Sequence, residues 1–303
     1  MQTFTDSFRI SDEVKSALAS DKAVVALEST VITHGLPYPE NVRIAQEMEA
    51  EVRRLGAIPA TIGMLDGLVH VGLNVDQLEK LAQTKGLHKI SRRDFGPALV
   101  LNWSGGTTVA GTMLVANHAR IRVFATGGIG GVHRQPIYDI SPDLPELART
   151  PMIVVCAGAK AILDLNATLE YLETASVPVV GYQTDEFPAF YSRSSGLGVS
   201  VRVDTPDQVI AIARSHWGAG STSAVLVVNP LPDQSSMPRN DIERAVQDAL
   251  VEAEIKGIRG QAVTPFLLSH VSYLTGGASL RANLELLRNN ARLGAAISMQ
   301  LSE

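Results

Sequence analysis

The stretch Met152-Ile153-Val154-Val155-Cys156-Ala157-Gly158-Ala159-Lys160 reads as an apolar, β-branched strand that meets a glycine turn and delivers one lysine. The helix formers Ala161, Ile162 and Leu163 follow at once, so the spacing predicts Lys160 on the first turn of a helix. A helix N-terminus carries partial positive charge and burial adds a desolvation cost, so an amine placed there is disfavoured as ammonium. A neutral amine is what Schiff-base chemistry requires. On this spacing alone the ordinary reading is a lysine that snorkels to the surface, and other segments must decide.

The same rhythm of short apolar runs and longer amphipathic ones extends outward from this stretch. Strands are predicted over 23–27, 121–125, 152–156, 177–181, 199–203 and 224–228, and helices over 40–55, 76–83, 107–119, 205–217 and 239–255. That alternation predicts a layered α/β domain with a largely buried sheet. Two apolar runs, 58–65 and 67–72, meet at Asp66-Gly67 and read as adjacent strands, which makes the sheet mixed. Leu280, Leu284, Leu287, Ala291 and Ile297 fall at helical spacing and predict a long C-terminal helix. No internal repeat or linker interrupts the chain, so a single domain over 1–303 is expected.

Composition narrows the function classes. The 303 residues are 45% hydrophobic and 19% charged, as in an ordinary globular enzyme. A net charge of −5 without a Lys/Arg run offers no attraction for nucleic acid or a membrane surface, and no apolar run approaches a membrane span. A single cysteine, Cys156, excludes an internal disulfide and fits a reducing compartment, so a cytoplasmic location is expected.

Four segments carry candidate chemistry. Glu28 ends the strand Val24-Val25-Ala26-Leu27, where a buried carboxylate is costly unless paired, and it is a candidate general acid; bonding to nearby amides is the plain alternative. His34 follows in the next turn. Lys89-Ile90-Ser91-Arg92-Arg93-Asp94 groups three cations that suit a phosphate, as they would suit a salt-bridged surface. Gly127-Gly128-Ile129-Gly130-Gly131-Val132-His133-Arg134 follows a strand and lets backbone amides approach an anion, but fits neither GxGxxG nor GxxxxGK[ST]. Asp139-Ile140-Ser141-Pro142-Asp143-Leu144 offers oxygen ligands to a hard cation, or merely a helix cap.

These motifs, in this order, with Gly181-Tyr182-Gln183-Thr184, Asn229-Pro230-Leu231-Pro232, Thr264-Pro265-Phe266-Leu267-Leu268 and Asn289-Asn290-Ala291, strongly resemble the pseudouridine-5′-phosphate glycosidase family, also called indigoidine synthase A-like, over about residues 10–300. The resemblance implies a three-layer α/β/α fold, a homotrimer, a divalent cation, usually Mn²⁺, and no organic cofactor. It implies a lyase that reversibly converts pseudouridine 5′-phosphate and water into ribose 5-phosphate and uracil. A carbon leaving group makes the two-carboxylate route of ordinary glycosidases poorly suited, whereas an amine at C1′ can drive the cleavage.

Carried over position by position, the resemblance implies Lys160 as nucleophile and Glu28 as proton donor. It implies substrate contacts at Lys89, Val109, Ser141, Pro142, Asp143, His133 and Asn283, and the metal at Asp139. Residues 135–138, Gln-Pro-Ile-Tyr, depart from the family's longer Gly-Ala-Glu type segment, which bears on metal and base recognition. Two other readings compete: a Schiff-base lyase acting on another phosphorylated sugar or a modified-base nucleotide, and a non-catalytic sugar-phosphate-binding or pigment-pathway accessory protein.

Overall fold

A computed structural model describes residues 4–134, 139–259 and 262–302. In chain order its elements are β1 (Phe8–Ile10), α1 (Asp12–Ala19), β2 (Val24–Leu27), α2 (Glu40–Arg54), β3 (Ile58–Leu65), β4 (Leu68–Val71), α3 (Val75–Gln83), β5 (His88–Ile90), α4 (Phe95–Val100), β6 (Gly105–Thr107), α5 (Val109–His118), β7 (Val123–Ala125), β8 (Val132–His133), α6 (Asp143–Leu147), β9 (Ile153–Cys156), β10 (Leu163–Asp164), α7 (Leu165–Thr174), β11 (Val179–Tyr182), β12 (Val201–Val203), α8 (Pro206–Gly218), β13 (Val225–Val228), α9 (Arg239–Ile255), α10 (Val263–Leu274) and α11 (Ala278–Leu301).

The central sheet runs β1-β4-β3-β2-β7-β9-β13-β11-β12, with β6 pairing both β3 and β5. It is parallel from β3 through β12, and antiparallel where β3 meets β4 and β6. Strand β3 makes the change of direction. Residues 58–61 pair with β2, and residues 62–65 pair with β4 across the Asp66-Gly67 turn. The mixed sheet expected from that turn is present. Pro59 sits in the first half, where β2 is the sole neighbour, so its missing N–H costs no ladder bond on the open side.

Alternation along the strands sorts the core into layers. Val123, Ile153, Val155, Val225 and Val227 face Val209, Ile210 and Ala213 of α8 and Leu293 and Ile297 of α11. Their neighbours Phe124, Val154, Cys156, Leu226 and Val228 point the other way, into the large cluster that includes Met113 of α5, Leu147 of α6 and Leu172 of α7. Each such buried aliphatic side chain contributes about 1.5–3 kcal/mol of burial free energy. Helix α8 starts where its signals stand: Thr205 and Gln208 form a capping box and Pro206 occupies the first turn.

The sequence missed the short strands β1, β5, β6, β8 and β10, and helices such as α1, α7 and α10. A strand of two or three residues is too short to show a period. Cys156 packs in β9 as expected, and complete burial pushes its thiol up to about 12, so it is inert.

Candidate active site

In a parallel sheet, ligands collect beyond the carboxyl ends of the strands. Glu28 lies just past β2, Thr126 and the glycine run just past β7, and the Lys160 loop just past β9. Strand β5 and the first turn of α5 add Lys89 and Val109 from the side. All ten residues expected at the site line one cavity with two ends, which share Thr30, Lys89, Lys160 and Thr264.

Lys160 is not on a helix, which corrects the sequence expectation. It lies in an irregular loop before β10, and α7 does not begin until Leu165, capped by Asp164. Tertiary hydrogen bonds override the helix propensity of residues 161–163: Lys160 N–H donates to Ile129 O at 3.1 Å and Leu163 N–H to Lys160 O at 3.0 Å. Gly158 makes the loop possible. Its φ is +84°, and a Cβ there would stand 2.3 Å from Pro188 O. In place of a helix N-terminus, Lys160 has Lys89 nearby. Burial first, and Lys160 second, hold the Lys89 ammonium below the ordinary lysine range, against the pull of Asp143 and Glu28.

Glu28 is 6% exposed and both of its oxygens accept from hydroxyls, Oε1 from Thr126 at 2.5 Å and Oε2 from Thr30. The amide bonding weighed for it in the sequence is therefore replaced by hydroxyl bonding. His34 shares the same end of the cavity, and burial followed by Lys89 holds its imidazole below the ordinary range. This end is a slot walled by Val31, Phe190, Leu268 and Leu287, with Asn283 as its amide. Apolar walls with one amide suit a ring that is apolar on its faces and polar at its edge.

The other end encloses about 450 Å³ and gathers Lys89, Ser91, Arg93, Val109, His133, Asp139, Ser141, Pro142 and Asp143. Of the three cations in the 89–93 segment, Arg92 turns away: its guanidinium grips the fully buried Glu146, Nε to Oε2 at 2.6 Å. Ser91 is 5% exposed and its Oγ has no partner, an orphan donor on the cavity wall. Thr108 caps α5, so the amide of Val109 belongs to a helix N-terminus, which favours an anion.

Two amides of the glycine run are committed within the protein, while Gly127 and Gly128 line the cavity. Ile129 N–H donates to Gly158 O at 3.1 Å and Gly130 N–H to Asp143 Oδ2 at 2.8 Å, so these amides are spent on the fold. Asp143 Oδ1 takes Ala110 N–H at 2.9 Å, which makes this carboxylate a strut between α5 and the run. A Cβ at Gly130 would fall 2.1 Å from Ser141 Oγ.

Among the described residues lining this end, Asp139 is the carboxylate that accepts no backbone amide. It is half-exposed, and His133 Nδ1 lies 4.0 Å from its Oδ2. Burial lowers His133 despite Asp139. Among the described residues no group of three His, Cys, Asp or Glu converges, so the donor set fits a hard cation that keeps most of its water, and not a closed protein cage. Residues 135–138, the departure from the family pattern, lie outside the described residues.

Sequence reasoning gave no role to Thr126, Thr264, Phe190 or Asn290. The available signal for Thr126 was a hydroxyl directly after the buried run Val123-Phe124-Ala125. Conversely, Tyr182, Gln183, Asn229 and Asn289, from motifs that carried the resemblance, line a separate cavity of about 400 Å³ beyond β11 and β13.

Comparison with known proteins matches the fold. The family model described as indigoidine synthase A like protein matches residues 13–300. The pseudouridine-5′-phosphate glycosidase of Caldanaerobacter subterraneus is 50% identical, over 100% of this chain and 98% of its own length; that of Chloroflexus aurantiacus is 52% identical, over 97% and 99%. The crystal structure of the prealnumycin C-glycosynthase AlnA with ribulose 5-phosphate superposes with a TM-score of 0.90 at 42% identity, covering 97% of each chain. An indigoidine synthase A-like protein of Thermotoga maritima also gives 0.90, at 34% identity, over 98% of this chain and 97% of its own. With relatives at this identity spanning nearly all of both chains, the chain belongs to the indigoidine synthase A-like family, whose members compared here include pseudouridine-5′-phosphate glycosidases.

Proposed function

We propose that the chain is a pseudouridine-5′-phosphate glycosidase, a lyase that reversibly breaks the C–C bond between ribose 5-phosphate and uracil, with Lys160 as nucleophile and Glu28 as proton donor. One observation carries the reading: the Lys160 amine and the buried Glu28 carboxylate share a cavity whose ends differ, one with Arg93 and an orphan hydroxyl, the other an apolar slot with an amide. The phosphate belongs with Lys89, Ser91, Arg93 and the Val109 amide, and the base with Asn283, Phe190 and Leu287.

The Lys160 amine displaces the ring oxygen at C1′ and passes its proton to that oxygen, opening the ribose. The nitrogen lone pair then forms C=N while the C1′–C5 electron pair moves to C5, which takes a proton from Glu28. Water hydrolyses the imine to the aldehyde of ribose 5-phosphate and leaves ammonium on Lys160, which returns one proton to Glu28. Asp139 with water would hold a divalent cation, Mn²⁺, which when bound supplies positive charge beside the sugar phosphate.

The proposal extends to a cytoplasmic homotrimer. Ile255 and Tyr273, 74% and 79% exposed on α9 and α10, support a contact between copies, and among the described residues no helix is long and apolar enough to cross a membrane. Light scattering reads the assembly directly. The decisive assay is mass detection of uracil from pseudouridine 5′-phosphate with and without Mn²⁺: release supports the reading, and no uracil in either condition overturns it.

A further inference from the structure

The two oxygens of Glu28 face different surroundings. Oε1 accepts from Thr126, which is fully buried and lines neither end of the cavity. Thr126 is fixed through its backbone as well. Its N–H donates to Val155 O at 3.0 Å, and its carbonyl accepts from Asn290 Nδ2 at 2.8 Å. Asn290, also fully buried, takes Asn229 Nδ2 on its Oδ1 at 3.1 Å, and Asn229 N–H donates to Cys156 O at 2.8 Å. A chain of amides thus ties the ends of β7, β9 and β13 to α11 and holds one hydroxyl against Oε1. Oε2, by contrast, accepts from Thr30, which lines both ends of the cavity.

A hydroxyl donates one hydrogen bond and accepts others, so either threonine satisfies Glu28 whether it is protonated or not. Only Thr30 stands where the substrate does. We propose that Thr126, anchored by the Asn290–Asn229 amide pair, is a positioning residue that ties down Oε1, so that Oε2 is the oxygen that delivers the proton to C5. Before transfer, Oε2–H donates to Thr30. In the transfer the Oε2–H bond breaks, the C5–H bond forms with the pair released from C1′–C5, and Thr30 turns its hydroxyl to donate to the new carboxylate. The Lys160 ammonium left by imine hydrolysis restores the proton, so atoms and charge balance over the cycle. The inference rests on the roles of Glu28 and Lys160 proposed above.

The test compares Thr126→Val, which keeps the shape and removes the hydroxyl, with Thr126→Ser, which keeps the hydroxyl. Three readouts are taken: kcat and KM for uracil release, the solvent deuterium isotope effect on kcat, and the mass of the Lys160 adduct trapped by borohydride with ribose 5-phosphate. Thr126→Val is expected to lower kcat about 10- to 100-fold through a misplaced acid, leave KM within about twofold, raise the isotope effect and leave the adduct yield unchanged. Thr126→Ser is expected to return kcat to within about threefold of wild type, since the donor to Oε1 is restored. Wild-type kcat in Thr126→Val, a loss that serine does not restore, or an equal loss of adduct overturns the role of Thr126 while leaving that of Lys160 intact. Absence of the adduct in the wild-type protein overturns both.

Discussion

Two buried carboxylates in one cavity, Glu28 beyond β2 and Asp143 at the start of α6, are held by opposite kinds of partner. Asp143 accepts two backbone amides, from Ala110 and Gly130, and an amide can only donate. Taking up a proton would weaken the acceptor of one of those amides and add a donor for which neither amide is an acceptor. Glu28 accepts two hydroxyls, each of which can reverse its bond. Partners that only donate make a fixed strut, and partners that reverse make a group fit to pass a proton. Burial alone does not distinguish them, since the two are 5% and 6% exposed.

Removing the amine is the harshest check on the Glu28 end. Lys160→Ala is expected to cut uracil release on the order of 10⁴-fold or more, and to abolish the borohydride adduct with ribose 5-phosphate. Intact turnover in that variant would sink the mechanism. The contrast itself is tested by amide substitutions at the two carboxylates. Glu28→Gln is expected to lower kcat about 10²- to 10⁴-fold with stability changed by less than about 1 kcal/mol, whereas Asp143→Asn is expected to cost about 2 kcal/mol or more in urea unfolding. If both variants lose stability equally, the distinction between strut and proton carrier fails.

A third buried carboxylate, Glu146, sharpens the point because ions hold it. Arg92, Arg149 and Thr150 satisfy it at 0% exposure. Arg92→Met is expected to destabilise by about 2–3 kcal/mol, less than total loss of the pair because Arg149 and Thr150 remain. A denaturation midpoint unchanged from wild type would show that Arg92 is dispensable there.

The smallest expected effect is on pH dependence. Burial holds His34 and His133 below 6.5, so the unfolded chain binds more protons than the folded one between the lowered values and 6.5. Stability is therefore full above pH 6.5 and is lost as pH falls through the lowered values. A His34→Gln, His133→Gln double variant is expected to show a shallower fall in urea midpoint between pH 7 and pH 5; an unchanged slope would assign the acid sensitivity elsewhere.

Much of the sheet was legible because strands such as Val24–Leu27 and Val225–Val228 are buried on both faces and bounded by clear breaks. The long helix from Ala278 was legible from its period, and Leu284, Leu287, Ala291 and Ile297 are buried as that period requires. The region around Lys160 misled for a physical reason. Residues 159–163 have helical propensity of a few tenths of a kcal/mol each, which hydrogen bonds to the glycine run outweigh. The 89–93 segment misled in part, since nothing local told Arg92 to turn toward Glu146, 54 positions away.

By itself, the sequence determined the layered α/β class, the mixed sheet around Asp66-Gly67 and, through the order of its motifs, the amine and acid that share the cavity. Only the tertiary structure decided how those groups are held: Lys160 in a loop instead of a helix, Asp143 as a strut, and Glu28 between Thr30 and Thr126. Periodicity reports which face of a local segment is buried. The partners that matter at this site are not local: Thr126 meets Glu28 across 98 positions and Asn290 meets Thr126 across 164, and such pairings exist only once the sheet and α11 have packed.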